Sequence, residues 1–165
     1  MNNHIKSPIQ ALNLLNIVFY ALISGVLIFF LITHLNFQSN ENIPSLDTEL
    51  ALIFNYLVPF ICIIQGGLSI FIFDIQMKKM PKQQNLQDKI QHYFRSKVMQ
   101  WALLEGAAIF CVISYFLTGF PMYALWCILM IMLLAFHKSS LSNFTKYATL
   151  THQEQKALEI DKFEY

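Results

Sequence analysis

Glu105 is the residue of this sequence that most needs a chemical explanation. It is the only charged residue between Val98 and Leu117, in a stretch rich in Leu, Ala, Ile and Phe. A charged side chain at the centre of a bilayer costs about 2.5–3.5 kcal/mol on insertion scales, so an acid there is a candidate functional group. Three roles fit it: a hydrogen bond that clamps two helices, the handling of a proton or cation, or a contact with a lipid headgroup or a partner.

Other polar residues are expected at the depth of Glu105. A helical rise of about 1.5 Å per residue places Glu105 about 10 Å from Val98. The same count from the matching ends of the other apolar stretches brings further polar side chains to this level. The sequence therefore predicts one intramembrane polar layer formed by Asn13, Asn16, Gln65 and Glu105.

The stretch around Glu105 has a counterpart near the start of the chain. "YALISGVLIF" (20–29) aligns with "WALLEGAAIF" (101–110) at an offset of 101 − 20 = 81 positions, with Ser24 in the place of Glu105. The alignment favours two duplicated helical hairpins related by a twofold axis along the membrane normal. Two helices that pack closely also reach this pattern without common ancestry, because each copy carries small residues four apart. The predicted helix-packing residues are Ala21, Gly25, Gly66, Gly67, Ala102 and Gly106.

"LLEGAAIF" resembles the carboxylate helix of the proteolipid subunits of rotary ATPases. A glycine-bearing helix, a polar loop and a carboxylate helix follow one another in that family, as Gly66-Gly67, the loop 74–97 and Glu105 do here. The resemblance implies proton transfer by Glu105. The sequence departs from the family pattern, because it has no glycine ladder, no Arg-Gln-Pro or Arg-Asn-Pro in the loop, and a longer loop. The activity is therefore not carried over. As a whole, the chain resembles the small four-span proteins of bacterial inner membranes, which implies no mechanism.

Other sets of reactive residues lack the spacing that chemistry requires. Cys62, Cys111 and Cys127 lie far apart in the sequence without a CxxC motif, and we interpret them as packing residues. The histidines have no metal-ligand spacing, and there is neither a GxSxG motif nor a phosphate-binding glycine loop. The net charge is +1, which indicates no polyanion partner. We therefore expect no enzyme activity, no metal or other cofactor, and no nucleic-acid partner.

Membrane-spanning helices are the elements predicted to carry these residues. Hydrophobic residues make up 56% of the 165 positions and charged residues 13%, whereas soluble domains are about a quarter charged. A helix of about 20 apolar residues crosses the hydrocarbon core of a bilayer. The sequence predicts an all-α integral membrane protein, a four-transmembrane-helix bundle with spans at about 11–35, 50–73, 98–117 and 120–137. These spans form a domain of residues 1–138, and residues 139–165 form a cytoplasmic tail with a short helix.

The distribution of Lys and Arg predicts the orientation of the spans. The 11 basic residues lie before the first span, between the second and third, or after the fourth. The charged residues of the loop 36–49, by contrast, are all acidic. Basic loops remain in the cytoplasm, so both termini are predicted on the cytoplasmic side of a bacterial inner membrane, in a multi-pass protein. Tyr93 and Trp101 suit the aromatic belt at the membrane interface.

Local signals predict where helices begin and end. The third helix is expected to start near Asn85, well before its apolar part. In "TGFP", Gly119 fits the position just after a helix and Pro121 the first turn of the next one, so the third and fourth spans form a hairpin. Thr151 and Glu154 form a capping box that predicts a short helix in the tail.

These features favour a non-enzymatic accessory or scaffolding subunit of a membrane assembly. The expected partners are the lipid bilayer and either further copies of the chain or a larger membrane complex. The alternative is a small proton- or ion-coupled carrier that uses Glu105.

Overall fold

The computed structural model describes residues 8–39, 48–80, 85–148 and 150. The regular structure of these residues is entirely helical. The helices are α1 (Pro8–Ser39), α2 (Thr48–Lys78), α3 (Leu86–Thr118), α4 (Pro121–Phe136) and α5 (Leu141–Tyr147). The fold is thus an all-helical bundle, with a short fifth helix after the last long one.

The connection between α3 and α4 is as tight as predicted. Gly119 has φ 69°, a left-handed conformation that glycine adopts without steric cost. Its N–H donates to the Tyr115 carbonyl at 2.8 Å, which satisfies one of the last carbonyls of α3. Pro121 opens α4, where its missing N–H costs nothing. The predicted start of α3 is also confirmed, because Asn85 is the N-cap residue.

The helices on either side of the predicted loop 36–49 are longer than expected. α1 continues to Ser39, and α2 begins at Thr48, inside the predicted loop. The physical reason is that "NFQS", the sequence after Leu35, contains no glycine or proline, so nothing in it ends the helix. α2 also continues through Pro59 without a break.

α3 is the central helix of the bundle. It packs on α1, α2 and α4, whereas α1 and α2 have few contacts with each other. The most deeply buried part of α3 includes Trp101, Leu104, Ala107 and Cys111. Because every other long helix packs on α3, residues of α3 take part in most of the interhelical contacts described below.

Among the described residues, three helices are long and apolar enough to cross a membrane. The qualifying segments are Gln10–Phe37, Leu52–Lys78 and Leu86–Thr118. α4 is apolar but has 16 residues, or about 24 Å at 1.5 Å per residue. Large apolar side chains cover much of the outside of the bundle, including Ile28, Ile63 and Phe136. Soluble monomers rarely expose apolar surface on this scale, so the exterior fits a helical membrane protein.

The tail begins with a helix that the sequence analysis did not predict. α5 follows α4 after a short link, and the Ser140 side chain caps it by accepting from the Asn143 N–H. Phe144 of α5 is buried against Tyr93, with ring centroids 5.3 Å apart. α5 is thus docked on the bundle. The helix predicted from Thr151 and Glu154 lies outside the described residues.

Candidate functional site

Glu105 lies on the side of α3 that faces out of the bundle. Its side chain is half-buried, and two small neighbours on the same helix face, Ala102 and Gly106, are exposed. Among the residues that the structure describes, none forms a hydrogen bond or ion pair with Glu105. The carboxyl group therefore lies at an open notch between small residues, and no described residue compensates its polar atoms.

Gln65, a member of the predicted polar layer, lies near Glu105 in the fold. A Cβ atom placed on Gly106 would lie 3.8 Å from Gln65 Oε1, so the Gln65 amide of α2 rests against the residue next to Glu105. Gln65 Oε1 is buried and has no hydrogen-bond partner. Two polar groups on neighbouring helices thus lie at one level without being joined to each other.

The two asparagines of the predicted layer are placed differently. Asn16 is half-buried on α1, and its Oδ1 atom is buried without a hydrogen-bond partner. Asn13 is exposed, because the buried face of α1 passes through Leu15 and Phe19 instead. In the described chain, no hydrogen bond connects either asparagine to Glu105. The common depth of the four residues stays a prediction, and among the described residues they do not form a hydrogen-bonded clamp.

The small residues also divide into two groups. A Cβ atom on Gly66 would lie 3.5 Å from Leu133 Cδ2, so Gly66 lies where α2 meets α4. A Cβ atom on Gly25 or Gly67 would meet nothing within 4 Å, and Ala21 is exposed. These open positions do not mediate contacts between the described helices of the chain.

Larger residues carry the contact between α1 and α3. The rings of Phe19 and Trp101 lie 4.9 Å apart, centroid to centroid. Near the far ends of the same helices, Tyr115 stacks on Phe30 and contacts His34, whose Nδ1 lies 3.1 Å from the Tyr115 hydroxyl. This contact between His34 and Tyr115 was not foreseen from the sequence.

The opposite end of the bundle is rich in basic residues, and we call it the basic end; it includes Lys97 and Lys138. Lys97 is buried, and its Nζ donates to Gln100 Oε1 at 3.1 Å and to the His137 carbonyl at 3.2 Å. Trp101 Nε1 donates to the same carbonyl at 3.0 Å. The prediction that Trp101 and Tyr93 lie in an aromatic belt is therefore wrong. α1 and the end of α4 cover the Trp101 ring, and the Tyr93 ring is buried against Phe144.

A pair of cysteines is brought together inside the bundle. Cys62 Sγ of α2 and Cys111 Sγ of α3 are 3.2 Å apart, and both are free thiols. Both side chains are buried, in agreement with a packing role, but their proximity was not foreseen. In the described part of the chain, no three His, Cys, Asp or Glu side chains form a metal-binding group.

In the part of the chain that the structure describes, fold and site define a helical protein with three helices of membrane-spanning length and a carboxyl group on the central one that has no partner among these residues. Comparison of the chain with protein-family models, curated proteins and solved structures found no match.

Proposed function

We propose that the chain is an accessory or scaffolding subunit of a membrane assembly, without enzymatic activity of its own. In this proposal four helices cross a bacterial inner membrane, and both termini lie in the cytoplasm. The outward notch of α3 at Glu105 receives a transmembrane helix of a partner subunit or of a second copy.

The position of the basic residues supports the four-span arrangement. Lys79 lies in the link between α2 and α3, Lys97 of α3 donates to the His137 carbonyl at the end of α4, and Lys138 follows α4. These charges therefore share one end of the bundle. α4 is shorter than the roughly 30 Å hydrocarbon core, and a short span is accommodated by local thinning of the bilayer at modest cost.

Cysteine labelling of intact spheroplasts tests this topology. A membrane-impermeant maleimide is expected to label Phe120→Cys from outside, whereas Lys79→Cys reacts only after lysis. The native cysteines of the chain are buried in the described bundle and provide a low background. Labelling of both positions from the same side would contradict the proposal, since α3 would then not cross the membrane.

The unpartnered carboxyl group of Glu105 is the observation that carries the scaffolding role. An uncompensated acid in an apolar span is costly, and a hydrogen bond from another helix offsets that cost. Ala102 and Gly106 leave the backbone of α3 accessible on the same face, which allows a second helix to approach closely. An acid flanked by small residues therefore fits a helix-docking site.

Assembly mass measured in mild detergent tests the scaffolding role. The wild-type chain is expected in a complex heavier than its own 19.2 kDa. Ala102→Leu blocks close approach, and Glu105→Leu removes the hydrogen bond, so both variants are expected to release the 19.2 kDa monomer. Ile113→Leu, an exposed position on the same helix, serves as the matched control. Complexes of unchanged mass in both test variants would refute the proposal.

The pairing of Gln65 with Glu105 favours a second candidate, a small proton- or cation-coupled carrier. Gln65 Oε1 and the Glu105 carboxyl group are acceptors on adjacent helices that have no partner in the described chain, which suits a shared proton or cation. Ion flux in proteoliposomes separates the two candidates. A loss of flux in Glu105→Gln with assembly intact supports the carrier, and unchanged flux with lost assembly supports the scaffold.

A further inference from the structure

An open cavity of about 140 Å³ lies at the basic end, between α2, α3, the end of α4 and α5. A water molecule occupies about 30 Å³ of liquid, so the cavity has room for a group of several heavy atoms. Its polar lining comes from Lys97 and Gln100 of α3, Asp74 of α2 and Asn143 of α5. Neither Glu105 nor the open notch of α3 contributes to it.

Lys97 gives the cavity a buried positive charge. Its side chain is 4% exposed, and its ammonium group lies 4.3 Å from the centroid of the Phe73 ring. The two hydrogen bonds of the ammonium group go to neutral oxygens, those of Gln100 and His137. In the described chain no carboxylate forms an ion pair with Lys97. Buried charges are normally paired with an opposite charge, so an anionic ligand would neutralise the Lys97 ammonium group.

Gln100 adds a hydrogen-bond donor that is also unsatisfied. The side chain is 1% exposed, and its Nε2 atom is buried without a hydrogen-bond partner, whereas its Oε1 atom accepts from Lys97. A buried donor without a partner costs about 1–3 kcal/mol. A cation and a free amide N–H in one cavity are complementary to an anionic oxygen group.

The rim of the cavity indicates what carries that anion. Phe136 is 81% exposed and Ile70 42% exposed, and both line the opening. Apolar side chains at the opening do not contribute to the binding of a free anion. In a phospholipid, by contrast, the phosphate is attached to apolar acyl chains, which can contact these side chains. The exposed carboxylate of Asp74 also lines the cavity and repels anions, so a ligand with one negative charge is less disfavoured than one with two.

We propose that this cavity binds the phosphate group of an anionic phospholipid, with Lys97 and Gln100 as its ligands and with Ile70 and Phe136 against the acyl chains. The proposal goes beyond the scaffolding role and shares no residue with the docking notch at Glu105. Loss of one can therefore be observed with the other intact.

Native mass spectrometry of the full-length protein with added phosphatidylglycerol tests the proposal, with zwitterionic phosphatidylcholine as the reference lipid. Wild type is expected to prefer phosphatidylglycerol. Lys97→Met should weaken its binding about tenfold or more, because a charge-assisted hydrogen bond is lost. Gln100→Met, which retains size and charge, should weaken it several-fold. Lys97→Arg should preserve the preference, and Lys79→Met, an exposed residue with the same charge change, should not alter it.

Several outcomes would overturn the proposal. Equal binding of phosphatidylglycerol by wild type, Lys97→Met and Gln100→Met would show that the cavity is not the site. Equal weakening by Lys79→Met would reduce the effect to general surface charge. Displacement of the lipid by millimolar inorganic phosphate or glycerol 3-phosphate would identify a free phosphate as the ligand instead. If Lys97→Met fails to fold, the uncharged Gln100→Met variant still decides.

Discussion

His34 Nδ1 and the Tyr115 hydroxyl lie 3.1 Å apart, and the two residues are 81 positions apart in the chain. This is the offset at which "YALISGVLIF" aligns with "WALLEGAAIF". Equivalent residues of the two aligned helices therefore meet, as expected for two helices packed in parallel and in register. Burial agrees at some aligned pairs, since Val26 and Ala107 are both buried and Thr33 and Ser114 are both buried, but Tyr20 is exposed whereas Trp101 is buried. Whether duplication produced the match stays a prediction, because α2 and α4 differ in length.

Tyr115→Phe is expected to lower the stability of the bundle by about 1 kcal/mol, the typical net worth of one hydrogen bond. The variant retains the stacking of the ring on Phe30 and removes only the hydroxyl that contacts His34. The free energy of unfolding in mixed micelles, titrated with a denaturing detergent, is the measurement. Tyr56→Phe is the control, because Tyr56 is 78% exposed. Equal effects of both substitutions would show that the His34 contact contributes nothing.

A large side chain should destabilise the protein at only one of the two adjacent glycines of α2. Gly66→Leu is expected to destabilise the protein by about 1–3 kcal/mol, because the added atoms enter the contact with Leu133 and overpack it. Gly67→Leu is the matched control: it faces open space, and we expect no loss of stability. The same unfolding titration measures both. A Gly67→Leu variant as unstable as Gly66→Leu would show that α2 packs with another face than the one described.

The sequence predicted helix boundaries better than helix faces, for a physical reason. The start of α3 at Asn85 and the turn at Gly119 and Pro121 depend on capping and on backbone conformation, which are local properties of a few residues. The face that a helix buries depends on its neighbours. In a span that is apolar all round, no polar stripe marks the exposed side. The sequence therefore did not show which way Trp101 points, and only its place near the end of a span suggested the membrane interface.

The candidate site shows the same limit. Depth can be counted from the sequence, which predicted Gln65 and Glu105 at one level, and Gln65 Oε1 lies close to Gly106, the residue after Glu105. Contact cannot be counted, because it requires the rotation of each helix about its axis. For that reason Asn13 turned out exposed, and the cavity at Lys97 and Gln100 was not foreseen. The cavity also depends on α5. Its docking residue Phe144 lies in a polar segment without a helical pattern of apolar residues, so its burial was not predicted.

Phe144→Ala is expected to release α5 from the bundle. The Phe144 ring is buried against Tyr93, and truncation of a buried Phe costs about 3–5 kcal/mol at its site. α5 has 7 residues, and so short a helix is not stable without contacts to the rest of the protein, so α5 should detach and unfold. Hydrogen exchange of residues 141–147 should accelerate strongly, while exchange in α3 stays slow. Thr145→Ala, an exposed change in the same helix, should leave both unaltered. Unaltered exchange in Phe144→Ala would mean that other contacts hold α5.

Oxidation should link α2 to α3 through Cys62 and Cys111. Their sulfur atoms lie 3.2 Å apart, within reach of a bond of about 2.05 Å after a small side-chain adjustment. A membrane-permeable oxidant such as copper phenanthroline takes two electrons and two protons from the thiols and forms the disulfide. Peptide mapping under non-reducing conditions should then identify a Cys62–Cys111 cross-linked peptide. Cys127→Ala should give the same product, whereas Cys62→Ala should abolish it. Failure of the wild-type chain to cross-link, with the oxidant active on a control protein, would contradict the contact between α2 and α3 at this level, and with it the placement of Gln65 beside Gly106.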